Sequence, residues 1–472
     1  MNKKILGLAL FSSFLLFGQK SNDALKNLDT KKDFYGTIAQ TIWEFAEVGY
    51  QEEKSVALLK NTLSDEEFKI TSGVAGMPTA FIAEYGEGKP IIAILGEYDA
   101  LPGLSQDALP EKKSLNTIAG HACGHHLFGT ASVAAAIEVK DWIKANNIKG
   151  TIRFYGCPAE EGGSGKVYLV REGLFNDVDA VLHWHPNALN DASAGASLAN
   201  KSAKFRFYGV AAHAAISPEK GRSALDGVEA MNMMVNMMRE HVPQETRIHY
   251  VITDGGKAPN VVPDFAEVYY YARHNTRNTV IDVFDKIVKA AEGAALGTGT
   301  TMDYEMIGGT HELLANLTLQ KLMYNNLKKV GGITYSSDEK IFADKIAKTL
   351  GLEKANLETA KIIQPYKMEA KPFGSTDVGD ISFTVPTAGM SSATWVPGTP
   401  AHSWQAVAAG GTNIGYKGMM VAAKTISLTA IDLFLDNSLI EKAKAEFILK
   451  RGKDFKYIPL LGDRPPALDY RN

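Results

Sequence analysis

The chain has 472 residues, of which 45% are hydrophobic and 22% charged, close to the average for soluble globular proteins. Its 50 Lys and Arg residues nearly balance its 53 Asp and Glu residues, so there is no large basic excess for binding a nucleic-acid backbone. Only two cysteines occur, Cys123 and Cys157, which excludes a disulfide-stapled scaffold. The length predicts two or three folding units, or one large unit with an insertion.

Residues 1–19 have the layout of a secretory signal peptide. Lys3 and Lys4 precede an apolar stretch from Ile5 to Phe17, which is too short to span a bilayer, and polar residues follow at once. A buried or amphipathic first helix is the alternative, but the stretch is apolar on every face. We therefore expect an exported protein, periplasmic or secreted, without a stable membrane anchor.

Helical and strand-like segments alternate through the first part of the mature chain. A helical pattern runs from Leu25 to Leu63, and an Ala-rich helix is predicted over 127–146. Short apolar runs predict strands within 90–103, 150–165 and 180–186. This alternation predicts an α/β unit with a mostly parallel sheet, whose site lies beyond the carboxyl ends of the strands.

The pattern changes near Ala199. The next segments have the periodicity of strand, helix, strand, strand, helix and strand, over 203–215, 223–242, 247–253, 266–274, 279–296 and 301–308. This order predicts a ferredoxin-like α+β domain with an antiparallel sheet. We therefore expect a catalytic domain of residues 20–198 and 311–472, interrupted by a lid at 199–310. A single compact domain is the alternative.

Four polar segments concentrate His, Cys and carboxylates at strand ends or in loops. They are G-H-A-C-G-H-H (120–126), P-A-E-E-G-G (158–163), L-H-W-H-P (182–186) and G-T-P-A-H-S-W-Q (398–405). Cys123 and His125 can face one ion, and thiolate with imidazole suits zinc first. Glu160 and Glu161 are adjacent and cannot both face one way, so one can bind metal while the other acts as a base. Each segment alone has an ordinary structural explanation, but together they supply ligands for two ions.

These segments, in this order, resemble the dimetal aminoacylase and carboxypeptidase family. Cys123 replaces the bridging Asp of other branches, which points to the amidohydrolase branch. Within it, G-E-Y-D-A-L-P-G-L-S-Q, A-P-N-V-V-P and S-T-D-V-G-D are similar to motifs of the group that hydrolyses p-aminobenzoyl-glutamate. The similarity runs from about residue 30 to about residue 440, so it includes the lid.

The resemblance implies a centre that binds two divalent ions, zinc or manganese. The residues that match its ligand positions are Cys123, His125, Glu161, one histidine of the third segment and His402. Many members have that histidine three residues before a proline, which selects His183. The more similar group has it directly before the proline, which selects His185, and this is our assignment.

The resemblance also implies roles around the metals. Glu160 matches the general base, and Asp99 matches an aspartate that orients a ligand from behind the metal site. His213 matches a lid residue that stabilises the oxyanion in the partner's active site. Asn260 and Arg273 match lid positions that hold a substrate carboxylate. The implied assembly is a homodimer through the lid, with a heterodimer with a paralogous subunit as the alternative.

The implied activity is hydrolysis of the amide bond of an N-acyl or aryl-acyl amino acid. A dipeptidase, a carboxypeptidase or an N-acyl-amino-acid deacylase would use the same residues. A metal-dependent binding or scaffold module would be favoured by the loss of Glu160 or a ligand, and none is missing. In an oxidising compartment Cys157 could pair with Cys123 and remove a ligand. The Pro-rich tail at 457–466 has no assignable role.

Overall fold

The computed structural model describes residues 25–369 and 374–471, so the predicted signal peptide lies outside the described residues. The strands of the catalytic domain are β1 (Lys69–Ser72), β2 (Phe81–Glu87), β3 (Ile91–Gly96), β4 (Leu101–Pro102), β5 (Ala119–Gly120), β6 (Gly150–Gly156), β7 (Ala180–Asn187) and β12 (Thr387–Ala393). Those of the lid are β8 (Ala199–Tyr208), β9 (Arg247–Asp254), β10 (Phe265–His274) and β11 (Thr301–Thr310).

Helices pack against both sheets. In the first part of the catalytic domain they are α1 (Lys32–Phe45), α2 (Glu53–Asp65), α3 (His125–Asn146) and α4 (Gly165–Arg171). The lid contains α5 (Ala224–Met238) and α6 (Arg277–Thr298). The remainder are α7 (Leu317–Val330), α8 (Ser337–Thr349), α9 (Glu358–Lys361), α10 (Val378–Ser382), α11 (Trp404–Gly410), α12 (Asn413–Leu435) and α13 (Asn437–Arg451).

The catalytic domain is built on a six-stranded sheet in the order β1-β2-β6-β3-β7-β12. Four neighbouring strands, β6, β3, β7 and β12, are parallel to one another. At the other edge, β2 is antiparallel to both of its neighbours, β1 and β6. All six residues of β3 are buried, as expected for a central strand with helices on both faces. The predicted α/β fold is therefore confirmed, with a mixed sheet whose parallel part carries the functional segments.

The helical pattern predicted from Leu25 to Leu63 divides into α1 and α2. Ala46 ends α1 in a left-handed conformation with φ of 45°, and Tyr50 in the following loop also has a positive φ of 64°. The apolar spacing continues across the loop because both helices pack on the same core, so periodicity alone did not show the break.

The central helices are buried by packing between layers. The 23-residue helix α12 is long enough and, on average, apolar enough to cross a membrane, but 78% of its most apolar window is buried inside the protein. That burial is typical of a core helix, and α12 packs against the Ala-rich α3. The small side chains of α3 allow the two helices to approach closely.

The lid has the predicted strand and helix order. Its sheet runs β11-β8-β10-β9 with every pair antiparallel, and α5 and α6 cover one face. Its chain enters through β8 and leaves through β11, and these strands are neighbours, with Asn200 opposite Thr310. Both connections to the catalytic domain therefore lie side by side and form one hinge.

Candidate metal centre

The four polar segments meet at the carboxyl edge of the parallel strands. Asp99 follows β3, Glu160 and Glu161 follow β6, and His185 lies near the end of β7. Since parallel strands end at the same edge of a sheet, residues far apart in the chain converge there. Cys123 and His125 join them from the start of α3, and His402 comes from the loop after β12.

Two groups of ligand atoms share the thiol of Cys123. The first is Cys123, His125 and His185, and the second is Cys123, Glu161 and His402; within each group the ligand atoms lie within 4.8 Å of one another. The Cys123 sulfur is 3.4 Å from Nε2 of His185, and Nε2 of His402 is 3.1 Å from Oε1 of Glu161. Two donor sets that share one sulfur could hold two neighbouring ions, with Cys123 between them.

The turn before α3 brings Cys123 close to β7. Gly124 has φ of 80°, a conformation in which an L side chain is strained. A Cβ atom added there would lie 2.7 Å from Cβ of Pro186, the residue after His185. Glycine at this position therefore permits the contact between the Cys123 loop and the end of β7.

Asp99 orients two of the ligands. One carboxylate oxygen lies 2.8 Å from Nδ1 of His125, which leaves Nε2 of that ring directed toward the other ligands. The second oxygen accepts a 2.9 Å hydrogen bond from the backbone N–H of Glu161. Burial opposes ionisation of Asp99, but the charge and hydrogen bond of His125 hold its pKa below the ordinary value. A carboxylate behind a metal-binding imidazole fixes the ring's orientation.

The donor set fits divalent cations. Nε2 of His125, Oε1 of Glu161 and Oε2 of Glu97 are buried and make no hydrogen bond of good geometry among the described residues. Each of these atoms lies 3.1 Å from another potential ligand atom without a well-formed hydrogen bond, and cations bound between them would satisfy these polar groups. Burial raises the pKa of the Cys123 thiol well above its ordinary value, so a metal ion would be needed to displace its proton.

Glu160 lies beside the ligands without belonging to either group that contains Cys123. Its carboxylate lies within 4.8 Å of donor atoms of Glu97 and His125. Burial, followed by repulsion from Glu97 and Glu161, raises the pKa of Glu160 well above the ordinary value. A carboxyl group beside a metal site is placed to accept and return a proton during hydrolysis.

A buried ionic cluster was not predicted from the sequence. Lys166 is fully buried on α4, and its ammonium lies 2.6 Å from Oε1 of Glu97 and 2.7 Å from Oδ1 of Asp377. Glu97 in turn places Oε2 3.1 Å from Nε2 of His125. Glu97 stands two residues before Asp99 in the same motif, which indicates a position near the site. Lys166 follows a Gly-rich loop, and nothing in the sequence around it indicates that its side chain is buried.

The two histidines of β7 have different surroundings. The structure places His185 against Cys123, as assigned, whereas His183 belongs to neither group of ligand atoms. His183 lies against Gly389 of β12, and burial, with Lys166 and His185 nearby, lowers its pKa to about 3. Its Nε2 is buried and makes no hydrogen bond among the described residues.

Both cysteines are free thiols. Cys157 is fully buried, and its thiol donates to the carbonyl of Tyr155 at 3.4 Å. Apolar residues on the far side of β6 surround it. This matches the structural role of a small buried residue at a strand end rather than the alternative of a pair with Cys123.

The predicted lid residues lie apart within one chain. Exposed His213 pairs with Val261, and the carbonyl of Asn260 accepts from Ala214, so His213 and Asn260 share one loop region beyond the outer end of β8. Arg273 lies at the hinge end of β10, paired with Asn200, and its guanidinium covers the ring of Tyr271. A single chain therefore does not bring His213 or Asn260 to Arg273.

Comparisons with known proteins agree with this architecture. The model of the M20 peptidase dimerisation domain matches residues 199–298, which lie within the lid. The chain is 42% identical to one of the subunits of p-aminobenzoyl-glutamate hydrolase from Escherichia coli K12, over 89% of this chain and 93% of that protein. It is 28% identical to the Xaa-Arg dipeptidase of Mus musculus, over 90% of this chain and 92% of that protein.

Solved structures share the fold. A dinuclear metal-binding peptidase of the M20 family from Bacillus subtilis superposes with a TM-score of 0.59 at 19% identity, over 86% of this chain and 99% of that one. The expected resemblance to the dimetal family is therefore confirmed, including its amidohydrolase group. The chain belongs to the M20 family and is a metal-dependent amidohydrolase.

Proposed function

We propose that this enzyme cleaves the amide bond between an acyl or aryl-acyl group and an amino acid with a free carboxylate, as in p-aminobenzoyl-glutamate. The observation that carries the proposal is the pair of ligand groups sharing Cys123, with the carboxylate of Glu160 beside them. The 42% identical relative, named for that substrate, supports the aryl-acyl class.

The roles of the protein groups follow from their positions. Bound divalent ions, zinc or manganese, would supply Lewis acidity, which lowers the pKa of water and polarises an amide carbonyl. Cys123, His125, Glu161, His185 and His402 would hold them. Glu160 would accept a proton from the attacking water as the new C–O bond forms. The same carboxyl group would then give that proton to the amine nitrogen as the C–N bond breaks.

The lid would complete the site from a second copy of the chain. Arg273 lies at the hinge end of β10 and would hold the carboxylate of a substrate bound to its own chain, whereas His213 and Asn260 lie at the other end of the lid sheet. We propose that a partner's lid supplies the equivalents of these two residues, so that the enzyme acts as a homodimer. A paralogous partner is the alternative, because the 42% identical relative is named as one of several subunits of its hydrolase.

A substrate panel tests the proposal. The enzyme, loaded separately with Zn²⁺ and Mn²⁺, is assayed on p-aminobenzoyl-glutamate, N-acetyl amino acids and Xaa-Arg dipeptides. The Xaa-Arg dipeptidase relative makes dipeptides the second candidate. Highest kcat/KM on p-aminobenzoyl-glutamate supports the aryl-acyl class, whereas preference for dipeptides would overturn it.

We also propose that the protein is exported after removal of residues 1–19. The charged, apolar and polar order of that segment supports this location. N-terminal sequencing of the protein purified from a cell fractionated into cytoplasm and periplasm would test it. A chain recovered from the cytoplasm that retains Lys3 and Lys4 would contradict the proposal.

A further inference from the structure

The chain that follows α13 crosses the catalytic domain and ends at the metal centre. Residues 457–471, here called the C-terminal strap, contain turns but no helix or strand. They are nevertheless well anchored, because Leu460 and Leu461 are buried and several polar groups bond to the rest of the protein. This course was not predicted from the sequence.

The first anchor of the strap is the lid hinge. Arg464 donates to the carbonyls of Met306 and Ile307 at the irregular part of β11. A Cβ atom added to Gly309 would lie 2.7 Å from the backbone carbonyl carbon of Leu460, so glycine permits this approach. His311, just beyond β11, lies with Nε2 3.0 Å from the carbonyl of Ile458.

The second anchor is α4, the helix that follows the Glu160–Glu161 loop. Arg171 donates a 2.8 Å hydrogen bond to the carbonyl of Arg464, and the hydroxyl of Tyr168 lies 3.3 Å from the carbonyl of Pro465. The strap thus passes from the hinge to α4, directly after the loop that contains Glu160 and Glu161.

The third anchor is the metal-ligand loop itself. The hydroxyl of Tyr470 donates a 2.9 Å hydrogen bond to the backbone carbonyl of Glu161, and the guanidinium of Arg471 donates to the same oxygen. The ring of Tyr470 packs edge-on against Tyr50, with ring centroids 5.6 Å apart. Tyr50 donates in turn to the carbonyl of Gly163 at 2.7 Å.

This loop needs external support because its backbone is strained. Ala159 and Ser164 have φ of 54° and 58°, values that L residues rarely adopt and that persist only where surrounding contacts hold them. Glu52 accepts from the N–H of Ala159, and Asp99 accepts from the N–H of Glu161. The strap contacts the other backbone polar group of Glu161, its carbonyl oxygen.

We propose that the C-terminal strap is a positioning element of the metal centre, in which Tyr470 and Arg471 act through the Glu161 carbonyl to orient the adjacent carboxylates. Both peptide groups of Glu161 are then fixed, one by Asp99 and the other by the strap. Neither residue is a ligand, so both are positioning residues. The inference rests on the proposed ligand role of Glu161 but not on the identity of the substrate.

The test measures metal affinity directly. Zn²⁺ alone is titrated in competition with a chelator into the full-length wild type, Tyr470→Phe, Arg471→Met and the double variant. Loss of contacts that orient a ligand weakens metal binding about tenfold or more, and we expect about that loss in the double variant. Arg471→Lys keeps a donor and is expected to recover part of the affinity.

Tyr457→Phe is the matched control. It removes a hydroxyl from the same strap, one that bonds to Asp380 at 2.8 Å rather than to the ligand loop. We expect it to change the melting temperature but not the Zn²⁺ affinity. Affinity within twofold of wild type in the double variant, or an equal loss in Tyr457→Phe, would overturn the proposal. If the double variant loses Zn²⁺ affinity as expected but the metal-loaded wild type cleaves none of the amides in the panel, only the proposed substrate class is contradicted.

Discussion

At the scale of single residues, the two cysteines have opposite roles. Cys123 is common to both ligand groups, whereas Cys157 is enclosed in the core behind β6. Removal of one shared thiolate should therefore affect both ions, because each donor set loses a ligand.

Cys123→Ala and Cys157→Ala form a matched pair. We expect Cys123→Ala to reduce bound metal from two ions per chain to fewer than one, because the shared ligand is gone. Cys157→Ala should retain both ions and lose only packing, with a destabilisation of about 1 kcal/mol. Metal content by atomic emission and thermal unfolding would check both. Equal metal content in the two variants would contradict the shared-thiolate arrangement.

Glu160 offers a separate test of the chemistry. Glu160→Gln keeps the shape of the side chain but cannot accept the proton of the attacking water. We expect unchanged metal content and a kcat lower by about a hundredfold or more, which is the usual contribution of a general base. Turnover near that of wild type would remove Glu160 from the mechanism. Lost metal with lost turnover would instead make Glu160 a ligand.

The residues found from the sequence are those that carry unusual chemistry in short motifs. Thiol, carboxylate and imidazole groups that follow strands or lie in loops predicted a metal centre, and the family resemblance assigned Cys123, Glu161 and His402 as ligands. The structure brings the ligand atoms of these three residues within 4.8 Å of one another. Lys166 was missed because its burial depends on Glu97 and Asp377, which come from distant segments. No local pattern distinguishes such a lysine from one on the surface.

At the scale of elements, α3 carries a buried carboxyl group away from the metals. Glu138 is almost fully buried and accepts a 2.7 Å hydrogen bond from the amide of Asn27. Burial raises the pKa of Glu138 to about 7. In the unfolded chain the pKa is about 4.3, so the folded protein binds more protons between about pH 4.5 and pH 7. The contribution of Glu138 to the free energy of unfolding therefore falls as the pH rises through that window.

Glu138→Gln should remove that dependence while retaining an acceptor for Asn27. We expect the variant to gain stability relative to wild type as the pH rises from 5 to 8, by about 1–3 kcal/mol at the upper end. Melting temperatures of both proteins at equal metal concentration, measured at four pH values across the range, check this. Parallel profiles would show that Glu138 does not titrate in that window.

Elements were predicted well where periodicity and burial agree. The lid strands and helices follow their predicted order because each buries one face against the other, which leaves alternating or helical spacing in the sequence. The C-terminal strap was not predicted because it is irregular, and its polar contacts are made by side chains to backbone carbonyls of distant segments.

At the scale of the whole molecule, the separation of His213 from Arg273 supports the proposal that a second copy of the chain completes the site. Mixing two inactive variants tests this. A mixed dimer of Glu160→Gln and His213→Ala contains one site with an intact Glu160 and, from the other chain, an intact His213. Random exchange should restore about a quarter of wild-type activity, since half the dimers are mixed and each has one good site.

A site completed by a single chain predicts no recovery of activity on mixing. If His213 served the site of its own chain, no mixed dimer would contain a complete site, and activity would stay at the level of the separate variants. Unmixed samples at the same total concentration are the control. Sedimentation of the mixture must also show dimers, because exchange cannot occur in a protein that remains monomeric.

The shared hinge has a consequence for how such a chain can be rearranged. Asn200 and Thr310 lie opposite each other in adjacent strands, and the amide of Asn200 donates to the hydroxyl of Thr310 at 2.9 Å. Residues paired in this way are about 5 Å apart, so a linker of a few residues could replace the whole insertion. We therefore expect that the lid can be removed as one unit, because both of its ends join the catalytic domain at the same place.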